Sequence, residues 1–558
     1  MDNGFLKRIR DVEHAAEYFS DTGPMMVLLS DDTTFTNRLK PTNQFFKNVW
    51  TGTTTNGNRL FKSAWLSSTA FDTEPPRNRD LPFSCLAVKP MRYLAWKTGD
   101  TATIKLLHEW AKTWRNLALR TDKGKPKGII PPSVRYPDEA INGDEKTWYQ
   151  TNMFWHYFEW DYGTYWKMYD QLLFTAQITG DNTLLEPLFE TLNLVKKHSP
   201  QLSKSLKLLE SSAIGTEQWA VNNLIKETGF WTVVSAWRFW SNDTRFDDLL
   251  LRYGSPYTRF RLSGDETDLA HGYDKMLQHL RYNFPMVTSE ALFTDRVYLT
   301  DDDEYDPADY ARALLTGDEI QISASPYPSI TWTDCPDDLT VLVSESTPKS
   351  LKIKLFLYGN QAKKAGLRLW QLEKGTYTMY INSGIKTFEI KERGQPITFE
   401  VKPYNIQILS IEKIHKTDPI SIGLLNSKAI NTTDTLIILL ENDTFKLTTT
   451  YRKLVSSLVT HINKHDVDWD KDLLALFMAE KSKIINAQTL AKTKMNKSRL
   501  EFCIADLLEK GDCILDNKLS KKEVKNIIKQ RFESKFWVGR EFIMNDNILI
   551  LKIIDGVF

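Results

Sequence analysis

The chain has 558 residues, of which 41% are apolar and 26% charged, with a formal net charge of +1. This is ordinary globular composition and enough for about three or four domains. It excludes a global field pulling toward nucleic acid or anionic lipid, and no run approaches the ~20 apolar residues of a membrane-crossing helix.

Met1 to Tyr18 is charged and carries no apolar signal core. The expectation is a cytoplasmic protein, or an extracellular or periplasmic one if the N-terminus is truncated. Cys85, Cys335, Cys503 and Cys513 follow neither a zinc pattern nor a disulfide framework, so they read as isolated thiols and no metal is expected. Of 17 tryptophans, 15 lie between Trp50 and Trp370. Residues 1–415 hold 49 Lys+Arg against 52 Asp+Glu, whereas residues 416–558 hold 23 against 19. This shift predicts a domain boundary near Lys416–Pro419.

Apolar residues recur at helical spacing over 85–120, with a break at Thr98, Gly99 and Asp100. Residues 148–178 predict a second long helix, ending at Thr179, Gly180 and Asp181. Further helices are predicted over 182–198, 216–240 and 265–282, the last starting after Ser263, Gly264 and Asp265. Gly closing one helix and Asp opening the next suits a short hairpin connection.

From about Ile330 the period changes to two, as in Leu339, Val341, Val343 and in Leu351, Ile353, Leu355, Leu357. Short runs with frequent turn residues predict an antiparallel sandwich. Residues 416–450 stay strand-like, with Leu436–Leu440 as a candidate buried strand. Helices are expected over 472–479, 487–493 and 497–509, and then Gly511 opens a strand-like stretch. That order resembles a winged helix-turn-helix. Lys492, Lys494, Lys497 and Arg499 could meet DNA phosphates there, or form a solvated face or a protein-binding surface.

The fold class expected is therefore multidomain α+β. A helical domain spans 1–325, a β-sandwich 326–415, a strand-rich connector 416–450 and a small α/β winged-helix-like domain 451–558.

The richest chemistry lies between Gly128 and Tyr169. Pro131, Pro132 and Pro137 predict an ordered loop presenting Arg135, Tyr136 and Asp138. On the helix expected after it, Asn152, His156 and Glu159 share a face. Tyr149 and the rings of Trp148, Trp155 and Trp160 surround that face, with Asp161 beside them. Rings stack on pyranose faces while polar groups take hydroxyls, so the set suits a saccharide. The same pattern suits a packed core in which Glu159 pairs with Lys167 or Arg135. A second cluster, Arg252 to Arg261, sets Tyr257 and Arg259 among other tyrosines and arginines. It suits an acidic saccharide or a helix-to-loop junction. The acidic run Asp301–Asp306 lacks the Gly and terminal Glu of a calcium loop and reads as solvated.

The Trp148-to-Glu159 segment, the Thr-Gly-Asp turns and the run Leu367–Trp370 with Gly375 and Tyr377 together resemble a known architecture. It is that of the (α/α)-toroid plus β-sandwich polysaccharide lyases, the heparinase and alginate lyase group, and more broadly the six-hairpin glycosidases. The resemblance covers about residues 40–412. It implies a toroid, complete or lacking some hairpins, that acts on an acidic polysaccharide or oligosaccharide without a cofactor. By that resemblance Asn152 or His156 would neutralise the acid, while Tyr149, Tyr257 and His156 would exchange protons. Hydrolysis by a carboxylate pair stays open, as do a non-catalytic carbohydrate-binding protein and a regulatory or adaptor protein with a DNA- or protein-binding C-terminus.

Overall fold

A computed structural model describes residues 6–20, 25–27, 33–151, 153, 158–202, 212–283, 307–320, 324–381 and 384–414, together with five strands between 421 and 553. The chain is multidomain α+β with antiparallel sheets, and it divides into two compact units, Met1–Lys413 and Ile414–Phe558.

In the first unit the helices sort by how much of their surface is apolar. α1 (Val12–Ser20) and α2 (Thr33–Leu39) precede α3 (Ser84–Thr98), which is buried on nearly every side from Ser84 to Trp96. α4 (Thr101–Leu119) buries one stripe, Leu107, Trp110, Ala111, Trp114 and Leu117. α5 (Trp166–Thr179) is again buried all round, and α6 (Glu186–Leu202) returns from it. α7 (Glu217–Leu224) leads into α8 (Thr228–Ser241), whose Gly229–Ser235 stretch is buried. A helix apolar all round must be covered on all sides, and a striped one can face water. Accordingly α3, α5 and α8 pack in one layer, with α4, α6 and α7 in a second. α9 (Asp247–Tyr253), α10 (Pro256–Ser263), α11 (Glu266–Asn283) and α12 (Pro307–Thr316) complete the helical part.

The Thr-Gly-Asp turns close helices as expected. At Thr98–Asp100 the Thr hydroxyl donates to the Leu94 carbonyl, Gly99 takes φ +65° and the Asp100 carboxylate accepts from the Thr103 amide. The same geometry recurs at Thr179–Asp181. The left-handed residue costs a side chain energy that glycine does not pay. The turn also occurs at two further places, one with a weaker sequence signal and one with the same Thr-Gly-Asp run. Ser241, Asn242 and Asp243 close α8, and Thr316, Gly317 and Asp318 close α12.

Two expectations need correction. Among the described residues, the helix expected over 148–178 is present only as α5. Upstream, Glu159 is extended (φ −71°, ψ 153°), and a 3₁₀ turn covers Trp160–Tyr162 before Gly163 at φ +92°. The Trp160 amide donates to the Tyr149 carbonyl at 3.3 Å, so this chain is folded on itself by a loop bond. The helix expected over 216–240 is broken at 225–227, where the Glu227 carboxylate caps α8.

One buried ion pair ties these helices to the segment that enters the sandwich. Arg92 of α3 meets Asp170 of α5 at 2.5 Å, both fully buried. Asp170 also accepts from the Ser325 amide and hydroxyl and from the Tyr327 hydroxyl, each at 2.9 Å. Elsewhere, Asp80 receives the indole N–H groups of Trp110 and Trp114 and the Phe61 amide on one oxygen. Burial still pushes its carboxyl up to about 6.

The sandwich spans β1 (Ile330–Asp334), β2 (Leu339–Ser346), β3 (Ser350–Leu357), β4 (Lys363–Leu369), β5 (Gly375–Ile381), β6 (Gly384–Ile390), β7 (Gln395–Val401) and β8 (Gln407–Ile414). A sheet ordered β7-β4-β1 faces one ordered β6-β5-β8-β3-β2, with Val341, Val343, Ile353, Leu355, Leu367 and Leu409 in the shared core. The Arg252–Arg261 cluster is the joint between helices and sandwich. Tyr257 is fully buried and donates to the Val343 carbonyl at 2.5 Å. Arg261 donates to the Ser346 carbonyl, and Arg259 to the Gly254 carbonyl at 2.7 Å.

In the second unit, β9 (Ser421–Asn426), β10 (Asp434–Leu440), β11 (Asp443–Thr449), β12 (Arg540–Asn545) and β13 (Ile548–Ile553) form one antiparallel sheet ordered β11-β10-β9-β13-β12. The expected connector over 416–450 is thus part of a sheet shared with the far C-terminus, because β9 pairs with β13. The helices expected over 472–509 lie outside the described residues. Among the described residues no helix is long and apolar enough to cross a membrane.

Breaking a buried pair strands a charge, so Arg92→Met or Asp170→Asn should each cost about 3–5 kcal/mol. The double variant should cost clearly less than the sum, as read from urea unfolding. Strict additivity would mean the two groups are not coupled.

Candidate functional site

α3, α5 and α8 end at the Thr-Gly-Asp-type turns, so their first residues lie at the opposite end of the layer. Side-chain contacts bring these three beginnings together. The Cys85 thiol donates to the Lys167 carbonyl, and the Lys167 ammonium lies 5.8 Å from the Phe83 ring centre and 4.3 Å from that of Trp166. The Trp166 ring lies against Gly229, where an added Cβ would meet it at 2.6 Å. Phe158 packs edge-on against Phe83 and Trp65.

The 160–163 turn sits on this end. Trp160 anchors it, donating from its indole to the Ile130 carbonyl and stacking on Tyr165 at 4.4 Å. With that ring inside, Asp161 and Tyr162 point outward, and Tyr162 is 55% exposed. Gly163 then brings the backbone against Glu227 so closely that a Cβ would lie 1.9 Å from Oε2. Glu227 Oε1 accepts from the Gly229 amide at 3.2 Å, which places the carboxyl at the positive end of α8.

Burial dominates the electrostatics. It pushes the Glu227 carboxyl up to about 7, against the Gly229 amide and the Lys167 charge, which favour ionisation. It holds the Lys167 ammonium below its ordinary range. The Tyr165 phenol is driven up by burial and then by the nearby Glu227 and Asp161 charges, and its buried oxygen has no hydrogen-bond partner among the described residues. A half-buried acid that stays protonated near neutrality is what proton donation requires.

The sequence-predicted residues divide. Trp148, Tyr149 and Trp160 do come together, with Trp148 5.1 Å from Trp160 and both ring systems against Trp219. Trp148 is buried and donates to the Gly215 carbonyl, so it and Trp160 are supports for the site and offer no stacking face. Asp161 is exposed beside them, and Glu159 is half-buried on extended backbone. Asn152, Trp155 and His156 lie outside the described residues. The helical face expected for Asn152, His156 and Glu159 fails at Glu159, which is not helical. Arg135 is committed to Asp138 at 2.6 Å and to Asp144, and Tyr136 donates to the Thr53 carbonyl. Tyr257 and Arg259 belong to the sandwich joint. Burial raises the Tyr257 phenol and its proton is already given to Val343, so it is unsuited to act as a base.

Sequence reasoning missed Glu227, Lys167 and Tyr165. A signal was present: Lys226 and Glu227 interrupt the apolar period just before Thr228 and Gly229. Among the described residues one group could offer three metal-ligating atoms, Asp11, Glu13 and His14. Asp11 is already engaged with the His14 ring at 2.8 Å and with its amide. The chain matches no known protein-family model, and no curated protein shows significant similarity to it.

Gly163→Ala should cost about 1–3 kcal/mol through backbone strain alone, with more from the clash. Adding Glu227→Ala should return the steric part, seen as a higher unfolding midpoint than for Gly163→Ala alone. Because folding raises the Glu227 pKa from 4.5 to about 7, its contribution is full below pH 4.5 and is lost as pH rises through 7. The melting temperature of the wild type relative to Glu227→Gln should therefore fall between those values. A flat difference would mean the carboxyl is not perturbed.

Proposed function

We propose that the first unit is a carbohydrate-active body that cleaves a polysaccharide, most naturally an acidic one, by β-elimination or glycosidic hydrolysis. The helical hairpins are read as an (α/α) toroid lacking part of its ring, as in the polysaccharide lyases and six-hairpin glycosidases. Support comes from the two-layer packing of α3 to α8 and from the repeated closing turns. One observation carries the functional reading. At the converging ends of α3, α5 and α8, an outward tyrosine ring and an outward carboxylate flank a carboxyl kept protonated near neutrality. Rings bind sugar faces, and such acids protonate leaving oxygens.

The test is incubation of the full chain with a panel of uronate-containing and neutral polymers. Cleavage should appear either as unsaturated-uronate absorbance or as new reducing ends. Saturable glycan binding without either would select a non-catalytic binding protein. Silence in all three would remove the carbohydrate reading. The winged-helix reading of 451–558 stays part of this proposal, resting on the order of its sequence pattern. It expects salt-dependent retention of the full chain on duplex DNA, or else a protein partner.

A further inference from the structure

Resting on the polysaccharide reading, we propose that the reaction is hydrolysis, with Glu227 as the acid and Asp161 as the base. The two carboxyls sit on separate elements on either side of Gly163. Glu227 is sunk at the start of α8, with the Gly229 amide as its one hydrogen-bond donor among the described residues. Asp161 stands exposed on the turn held by Trp160 and has no hydrogen-bonding side chain on its carboxylate among the described residues.

Asp161 lies two residues before Gly163, so their Cα atoms are at most about 7 Å apart. Gly163 touches Glu227. That brings both carboxyls to the same turn, the arrangement that a pair of carboxyls flanking a glycosidic bond requires. Tyr162, on the same turn, is 55% exposed, and an aromatic residue beside the carboxyls suits a sugar site. Their surroundings divide the roles, because the buried group holds its proton and the solvated one accepts one. Elimination would need a basic phenolate or imidazole instead. The Tyr165 phenol, close enough to feel the Glu227 charge, is buried and driven toward its neutral form.

The step balances. Glu227 gives its proton to the glycosidic oxygen as the bond from that oxygen to the anomeric carbon breaks. The leaving sugar departs as an alcohol. Asp161 takes a proton from a water whose oxygen bonds to the anomeric carbon. Glu227 is left ionised within the field of Lys167, Asp161 is left protonated, and solvent returns each to its starting state.

The experiment uses the full chain on a polymer that the panel shows to be cleaved. Reducing ends should form without unsaturated-uronate absorbance, and in ¹⁸O-water the label should enter the new reducing end. Glu227→Gln should lower kcat by about 100- to 10,000-fold. It should lose far less on substrates with an activated aryl leaving group, and it should abolish the alkaline limb of the pH–rate profile. Asp161→Asn, on an exposed turn where folding is not at stake, should lower kcat on both substrate types and leave that limb in place. Unsaturated products would overturn hydrolysis while leaving the polysaccharide reading standing. Hydrolysis undiminished in either variant would overturn the residue assignment. No cleavage of any polymer by the wild type would overturn the reading beneath both.

Discussion

The Arg92 guanidinium and the Asp170 carboxylate are fully buried, and each carries a charge that would be costly to strand there. Their geometry offsets that cost. Arg92 also donates to the Cys85 carbonyl and the Ser325 hydroxyl, and Asp170 collects the Ser325 and Tyr327 donors on its other lone pairs. The pair therefore fixes three things at once: the rotation of α3, the rotation of α5, and the path of the 324–327 segment that leads to β1. Tyr327, held there, lets Gln371 donate to its carbonyl. Trp370, the neighbour of Gln371, packs its ring on Trp96 of α3 at 4.3 Å. Arg393 closes the joint over both rings, and burial pulls its guanidinium down to about 10. Sandwich and inner helices are thus one framework.

That framework explains where the site can be. A hairpin that ends in a Thr-Gly-Asp turn is closed tightly at that end, because the hydroxyl, glycine and carboxylate satisfy the backbone within three residues. The opposite ends of the inner helices lack that three-residue Thr-Gly-Asp closure. α4 reaches α5 through residues 120–165, and α7 reaches α8 through the break at 225–227. A long connection and a short helix break meet there, and with them Glu227, Lys167 and the 160–163 turn. Loops over rigid helix ends are where polar groups can be both positioned and reached.

Much of this was legible in the sequence. The helices 84–119, 186–202 and 266–283 and the sandwich strands follow from their periods, because burial on one face or on alternate residues leaves that imprint. The turns were legible from Thr, Gly and Asp in order. The 148–165 stretch misled because its aromatics recur at helical spacing for another reason. Trp148 and Trp160 reach Trp219 of α7 from a loop and a turn, and it is the ring contacts and the Ile130 and Gly215 carbonyls that hold them. Periodicity registers burial and is blind to the path by which a ring becomes buried. Arg135 misled in a similar way. Its partners Asp138 and Asp144 are near in sequence, but only the loop geometry of 134–144 shows that they neutralise it.

Glu227 shows what kind of residue such reading passes over. In sequence it is the middle of a short polar run, Lys226 to Thr228, between two apolar stretches, and a solvated position explains it as well as any other. Its character comes from Gly163, 64 positions earlier in the numbering, whose missing side chain allows the backbone to close over the carboxyl. Neither residue is informative alone. Together they make a close contact that any larger residue at 163 would fill. That contact removes the carboxyl from water without giving it, among the described residues, a cation at ion-pair distance. The shifted acid is therefore a property of two loops brought together by α5 and α8, and it depends on the same packing that the Arg92–Asp170 pair holds in register.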